Sequence, residues 1–235
     1  MKKNLLALAF LVGLLTCCKS EDAPIKPVKP TDPGSINKEY MSRAETTFAN
    51  IFKYYWSDKV RMMFSSYPNT LGTPQEPSSP DYDSHAYLWG LGSVVSAFNA
   101  IVQNTDNVDF RMTYESRLKE TLLKYYNTTK EPMCFGCFVN PHDQRLYDDA
   151  IWVGIDLADL YSKTKDSWYL DYAKSVWNFV LSGKDDELGG GVYWDENAKD
   201  SKNTCSNAPA VVLALKLYQI TNDAAYLENG KDIYK

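Results

Sequence analysis

Leu160-Tyr161-Ser162-Lys163-Thr164-Lys165-Asp166-Ser167-Trp168-Tyr169-Leu170 decides the fold, because its pattern returns at Leu217-Tyr218-Gln219-Ile220-Thr221-Asn222-Asp223-Ala224-Ala225-Tyr226-Leu227. Leu-Tyr, Thr, Asp and Tyr-Leu recur at one offset of 57 residues (217 − 160, 223 − 166, 227 − 170). Each copy reads as the end of an apolar helix, a short turn capped by Asp, and the start of a second helix. A period of that size holds one hairpin of long helices and one long loop.

Outward from this repeat, the apolar spacing predicts helices over 37–56, 83–103, 109–126, 146–161, 167–181 and 205–220. A seventh starts at Asn222-Asp223. No stretch alternates with period two over a useful length, so the expected class is all-α. Apolar helices (83–103, 146–161, 205–220) alternate with charged or mixed ones (109–126, 167–181). A helix buried on most sides beside one with a wet face is what a two-layer ring of hairpins requires. A toroid of six hairpins needs about 300 residues or more. Only about 200 follow residue 36, so the ring is expected to be incomplete, truncated at the C-terminal side.

The chain opens differently. Lys2 and Lys3 precede an apolar run from Leu5 to Leu15 that is short for a bilayer span and reads as a signal segment. Leu14-Leu15-Thr16-Cys17-Cys18 resembles a bacterial lipoprotein signal, which implies lipidation at Cys18, with Cys17 and an ordinary cleaved signal as alternatives. Lys19-Ser20-Glu21-Asp22 resembles the acidic tether of bacterial surface lipoproteins. Pro24, Pro27, Pro30 and Pro33 then make an extended stalk. The expected organisation is a signal over 1–18, a stalk over 19–36 and a helical domain over 37–235, held at the cell envelope by a lipid anchor and monomeric.

Net charge is −5 with both signs mixed along the chain, which gives no basic face for nucleic acid. Tyr, Phe and Trp number 17, 9 and 6, a richness that suits a carbohydrate cleft and equally a helical core.

Candidate chemistry sits where long loops meet the apolar helices: Asp81-Tyr82-Asp83-Ser84-His85, Tyr147-Asp148-Asp149, and Asn203-Thr204-Cys205-Ser206-Asn207. If those helices run parallel, the three clusters meet at one rim. Asp148 and Asp149 are the candidate pair, with Trp152 three residues on as a ring for a sugar. Glycosidases flank the scissile bond with two carboxyl groups, and crowding them splits their titration so that one stays protonated. The same pattern serves plain capping of a helix start, and Asp185-Asp186, which opens no apolar helix, shows how little two letters prove. Gly189-Gly190-Gly191 permits close approach of a ligand or of another backbone. Tyr193-Trp194 offers a stacking face or a packed turn, and Asn203 and Asn207 offer neutral donors and acceptors for sugar hydroxyls.

Tyr-Asp-Asp-x-x-Trp at 147–152, Gly-Gly-Gly-Val-Tyr-Trp at 189–194 and Lys-Asn-Thr-Cys-Ser-Asn-Ala-Pro-Ala at 202–210 together resemble glycoside hydrolase family 76. The resemblance runs from Asn37 to the end of the chain. It implies an (α/α)6 barrel and a retaining α-1,6-mannanase, with Asp148 as nucleophile and Asp149 as acid/base, no metal and no cofactor. Ala150 departs from the Asn that many members carry after the pair.

His85 and His142 are the only histidines, too few for a His-rich metal site. His85 is a candidate substrate contact or a satisfied helix-start residue. Cys134-x-x-Cys137 lacks the second ligand pair of a zinc site, and a disulfide or two buried free thiols remain open. A glycan-binding lipoprotein without catalysis would share the signal, stalk, helices and aromatics, but has no use for adjacent carboxylates. Another toroidal sugar enzyme, an uronyl hydrolase or an epimerase, would place acids and His differently.

Overall fold

A computed structural model describes residues 38–68, 85–139 and 144–235. The signal and stalk, Cys17, Cys18, the 81–84 part of the first junction and His142 lie outside the described residues. Among the described residues seven α-helices follow in order: α1 Lys38–Tyr55, α2 Leu88–Asn104, α3 Val108–Tyr125, α4 Tyr147–Thr164, α5 Ser167–Ser182, α6 Thr204–Thr221 and α7 Ala224–Tyr234. They match the expected set closely, except that α2 starts at Leu88 within the described residues.

Two short antiparallel hairpins were not expected. β1 (Trp56–Ser57) pairs with β2 (Met62–Met63), and β3 (Tyr126–Asn127) pairs with β4 (Cys134–Phe135). At two residues per strand they are too short to leave an alternating pattern in the sequence. Their role is to fold the long loops back onto the core, where Met62, Met63, Cys134 and Phe135 are buried.

The repeat is reproduced hydrogen bond by hydrogen bond. Thr164 Oγ1 donates to Leu160 O and Thr221 Oγ1 to Leu217 O, at 2.7 and 2.8 Å. Lys165 and Asn222 then take left-handed conformations, φ 61° and 58°, which end α4 and α6. The Asp166 carboxylate accepts from Trp168 N and that of Asp223 from Ala225 N, both at 3.0 Å, which starts α5 and α7. A degenerate third copy joins α2 to α3, where Asn107 N donates to Thr105 Oγ1 and Asn107 caps Phe110 N at 3.0 Å.

Helices α2, α4 and α6 form the inner row, and their order is set by polar contacts as well as by packing. Ser96 donates to Asp156, Asn99 Nδ2 to Asp156 Oδ1 at 2.8 Å, and Gln103 Nε2 to Asp159 O at 3.0 Å. Both sets of numbers rise together, so α2 and α4 are parallel. Lys216 Nζ reaches Asp159 Oδ1 at 2.5 Å and Leu213 packs on Gly154, so α6 runs the same way. Gly154 is where α4 meets α5 and α6 most closely: a Cβ there would lie 2.9 Å from Val176 Cγ1 and 3.1 Å from Leu213 Cδ2.

Leu157, Ala158, Val176, Val180, Leu213 and Leu217 are fully buried between these layers. Each such Leu or Val side chain contributes roughly 1.5–3 kcal/mol of burial. Phe48, Phe52, Phe98, Phe110 and Tyr114 form a second aromatic core under α1, α2 and α3, with ring centroids 4.6–6.0 Å apart. Most of the aromatic richness is therefore structural, as the helical-core reading expects. The result is a mostly helical, incomplete toroid of hairpins. Among the described residues no helix is long and apolar enough to cross a membrane.

Candidate active site

Parallel inner helices bring their N-termini to one rim, where described parts of the long loops meet them. The start of α4 is fastened to the glycine-aromatic loop by main-chain pairing. Tyr147 N donates to Trp194 O at 3.0 Å, Leu146 bridges Asp195, and Glu196 N donates to Arg145 O at 3.3 Å. Arg145 is fully buried, with its guanidinium on Glu196, on Pro132 O at 2.6 Å and on Lys130 O at 3.1 Å. A buried charge needs partners of this kind, and here they tie three loop segments under the pair.

Asp148 and Asp149 are each only 8% exposed, on the first turn of α4. Among the described residues neither carboxylate forms an ion pair. Asp148 Oδ2 accepts the indole N–H of Trp194 at 3.2 Å, and burial followed by the charge of Asp148 raises the titration of the Cys205 thiol at the start of α6. Its other oxygen, Oδ1, is buried with no partner among the described residues. Leaving such an acceptor unsatisfied costs about 1–3 kcal/mol, which marks it as an atom kept for something other than stability.

Asp149 faces the other way, into a cleft of about 270 Å³ between α2 and α4. Burial first, and then the charge of Asp148, push its carboxyl up to about 6, with the nearby Cys137 thiol working against them. Trp89 and Trp152 line the same cleft and are 57% and 44% exposed. Two exposed indoles beside a carboxyl group that titrates near neutrality are the arrangement expected for gripping a sugar ring next to a general acid.

Asp185-Asp186 is of another kind. Asp185 takes the ammonium of Lys202 at 2.6 Å, which lowers its carboxyl below the usual range. That aspartate holds a loop; the pair at 148–149 has no such cation among the described residues.

Trp152 and Trp194 stand at the rim, where they were expected. Asn203 is exposed just before α6 and makes no side-chain cap. His85 stacks on Phe64 with centroids 5.8 Å apart and bridges it through the main chain.

Two expectations are corrected. Tyr193 is 3% exposed, with the Lys202 ammonium 4.5 Å from its ring centroid, so its face is covered and offers nothing for a pyranose to stack on. The Asn207 amide is spent on main chain: Oδ1 accepts Val192 N at 2.7 Å, and Nδ2 donates to Val192 O and Asn203 O, both at 2.9 Å. It acts as a surrogate strand for the loop, leaving no hydrogen for a sugar hydroxyl. Gly191 is required by this grip. Its φ is 81°, and a Cβ there would run into Asn207 Oδ1. The residues missed were Trp89, Cys137 and the fixing role of Arg145. Trp89 had a signal: it precedes Asp149 by 60 residues, the spacing that also relates Ser96 to Asp156. The cysteines at 134, 137 and 205 are free thiols, the first two buried.

Comparison with known proteins agrees with this geometry. The profile described as Glycosyl hydrolase family 76 matches residues 39–235. Among solved structures, a family 76 glycoside hydrolase from a bovine Bacteroides thetaiotaomicron strain is 30% identical with TM-score 0.71. The match covers 83% of this chain and 41% of that one. Bt3792 of Bacteroides thetaiotaomicron VPI-5482, described as a family 76 mannosidase, is 25% identical with TM-score 0.70, over 83% and 52%. The GH76A α-1,6-mannanase of Salegentibacter sp. HEL1_6 is 24% identical with TM-score 0.62, over 83% and 49%. Among curated proteins nothing matches. The chain thus spans about half the length of the solved structures it resembles. With the profile covering 39–235 and three inner-helix starts converging on one buried carboxylate pair, the chain belongs to glycosyl hydrolase family 76.

Proposed function

We propose that the full-length protein is a retaining glycosidase that cleaves α-1,6-mannosidic bonds in mannan or manno-oligosaccharides. One observation carries the reading: two adjacent buried carboxylates, neither in an ion pair among the described residues, are placed differently, Asp148 receiving Trp194, Asp149 facing a tryptophan-lined cleft and pushed up to about 6. Asp148 attacks the anomeric carbon while Asp149 gives its proton to the leaving oxygen. The glycosidic C–O bond breaks and a mannosyl ester on Asp148 forms. Asp149, now a carboxylate, takes a proton from water, which opens the ester and restores both groups. Trp89 and Trp152 hold the sugar by stacking. Family membership and the relatives described as a mannosidase and a mannanase support the substrate class.

The test is hydrolysis of linear α-1,6-mannan by the full-length protein. Asp148→Asn abolishes release of manno-oligosaccharides with the fold intact, and NMR of the first-formed product shows the α-anomer. Undiminished cleavage by that variant, or an inverted product, overturns the assignment. We further propose, from the lipoprotein-like sequence at 14–18, a lipid anchor at Cys18 and a location at the bacterial cell envelope. Radiolabelled palmitate incorporation, lost in Cys18→Ala, is the measurement for the anchor.

A further inference from the structure

The cleft that holds Asp149 has one wall from each of two parallel helices. On α4 the wall carries Asp149 and Trp152, and on α2 it carries Trp89, Ser93 and Ser96. Within each set the residues are three or four apart, so each set stands on one helix face. At the end away from the rim the two helices are joined. Ser96 Oγ donates to Asp156 Oδ2, and Asn99 Nδ2 donates to Asp156 Oδ1 at 2.8 Å. Asp156 is 7% exposed, whereas Ser96 is half-buried and lines the cleft.

Ser96 is committed on one side only. A hydroxyl has one hydrogen and two lone pairs, and here the hydrogen points to Asp156. What remains for the cleft is lone pairs, strengthened as acceptors because the hydrogen lies on a carboxylate. Burial raises the titration of Asp156, and the bonds from Ser96 and Asn99 work against it by favouring the ionised form, which has no hydrogen to send back. Ser93, nearer the rim, turns its hydrogen to Trp89 O at 3.3 Å on its own helix. Both hydroxyls of the α2 wall therefore face a ligand as acceptors. Fixing α2 on α4 does not require a hydroxyl in the cleft, since Asn99 and Gln103 already do so from further along the pair.

We propose that Ser96, with its hydrogen held by Asp156, is a specificity-determining acceptor of the cleft, taking a hydrogen bond from one hydroxyl of a mannose unit on the ring edge opposite the bond that Asp149 protonates. The proposal rests on the glycosidase reading above. From Asp149 to Asp156 is seven residues of helix, about 10 Å, which one pyranose unit spans with a hydrogen bond of ~2.8 Å at each end. In mannose the edge opposite the anomeric carbon carries the 3- and 4-hydroxyls. Asp156 touches no sugar; it is a positioning residue that keeps the Ser96 hydrogen out of the cleft. A site built to accept from a hydroxyl discriminates against a unit that lacks it.

The experiment measures affinities of the full-length protein, in the Asp148→Asn background, for α-1,6-mannotriose and its analogues. In these the 3- or the 4-hydroxyl of one unit at a time is replaced by hydrogen or by fluorine, which accepts weakly and never donates. At one of the two positions both replacements are expected to weaken binding alike, by about fivefold or more. Ser96→Ala weakens the parent sugar by that factor and removes its advantage over both analogues. Asp156→Asn keeps the shape, but its oxygen stays on Asn99 Nδ2 and its amide N–H turns to Ser96. The Ser96 hydrogen then points into the cleft, so the parent still binds and the fluorine analogue recovers relative to the hydrogen one. A merely structural Asp156 shifts melting temperature and all affinities together and leaves that order alone. Equal affinities for parent and analogues, or unchanged penalties in Ser96→Ala, overturn the proposal. If Ser96→Ala does not fold, the reordering in Asp156→Asn decides. Cleavage of linear α-1,6-mannan with no penalty for any analogue overturns the acceptor and keeps the glycosidase; neither binding nor cleavage overturns both.

Discussion

Trp194 and Asp148 are joined by a single hydrogen bond across 46 residues of sequence, indole Nε1 to carboxylate Oδ2 at 3.2 Å. The bond exists because Tyr147 N and Trp194 O pair one step away, so the loop and the helix start move as one piece. Trp194→Phe keeps the ring and deletes the donor. A hydrogen bond to a charged group contributes about 1.5–3 kcal/mol, so kcat is expected to fall by about tenfold or more. Thermal stability is expected to fall as well, since the same bond is already made in the free enzyme, to a buried carboxylate. Steady-state kinetics beside a melting curve checks both.

The raised titration of Asp149 has a sign in two measurements. As the proton donor, it works while protonated, so kcat/KM falls as pH rises through about 6. For stability the linkage runs likewise: with the folded value raised from 3.8 to about 6, the folded state holds the extra proton between those pH values. Stability is therefore lost as pH rises through that window, by at most about 3 kcal/mol. Asp149→Asn is expected to raise the melting temperature at pH 7–8 and to leave it unchanged near pH 4.

Asn207 binds loop rather than sugar, and its removal should show that. Asn207→Ala leaves the main chain of Val192 without partners and lets the glycine loop swing, at a cost of about 1–3 kcal/mol. The expected result is a lower denaturation midpoint, together with a fall in kcat as Trp194 leaves Asp148. A rise in KM alone, with the midpoint unchanged, contradicts this role.

Trp89 behaves oppositely. More than half its surface is free, so Trp89→Ala should spare the fold, with stability within about 0.5 kcal/mol. Removing a stacking face should weaken manno-oligosaccharide binding by about 1 kcal/mol, several-fold in affinity. Titration calorimetry on the inactive Asp148→Asn background isolates that effect.

The hairpins and their turns were legible because their signals are local. Thr164, Asp166, Thr221 and Asp223 act within four residues of themselves, and their hydrogen bonds are those the repeat implies. The carboxylate pair was legible as a candidate for the same reason, standing at a helix start. What was not legible depends on partners far along the chain. Asn207 and Tyr193 look like sugar ligands until Val192 and Lys202 are seen to occupy them. Cys137 read as half of a disulfide or as a buried free thiol, and its main-chain bonds to Leu88 and Gln144 arise only once two helix starts are docked on one loop. The β hairpins escaped because two-residue strands carry no period.

The two ends of the inner helices answer to different demands. At one end, Lys165-Asp166 and Asn222-Asp223 turn the chain within a couple of residues, with every cap supplied by a neighbour. At the other, loops of some twenty or more residues connect α1 to α2, α3 to α4 and α5 to α6. Mutation can therefore explore the second end freely while the first keeps the architecture registered. A lineage built this way can exchange one polysaccharide for another by rewriting its long loops, and never has to reinvent its hairpins.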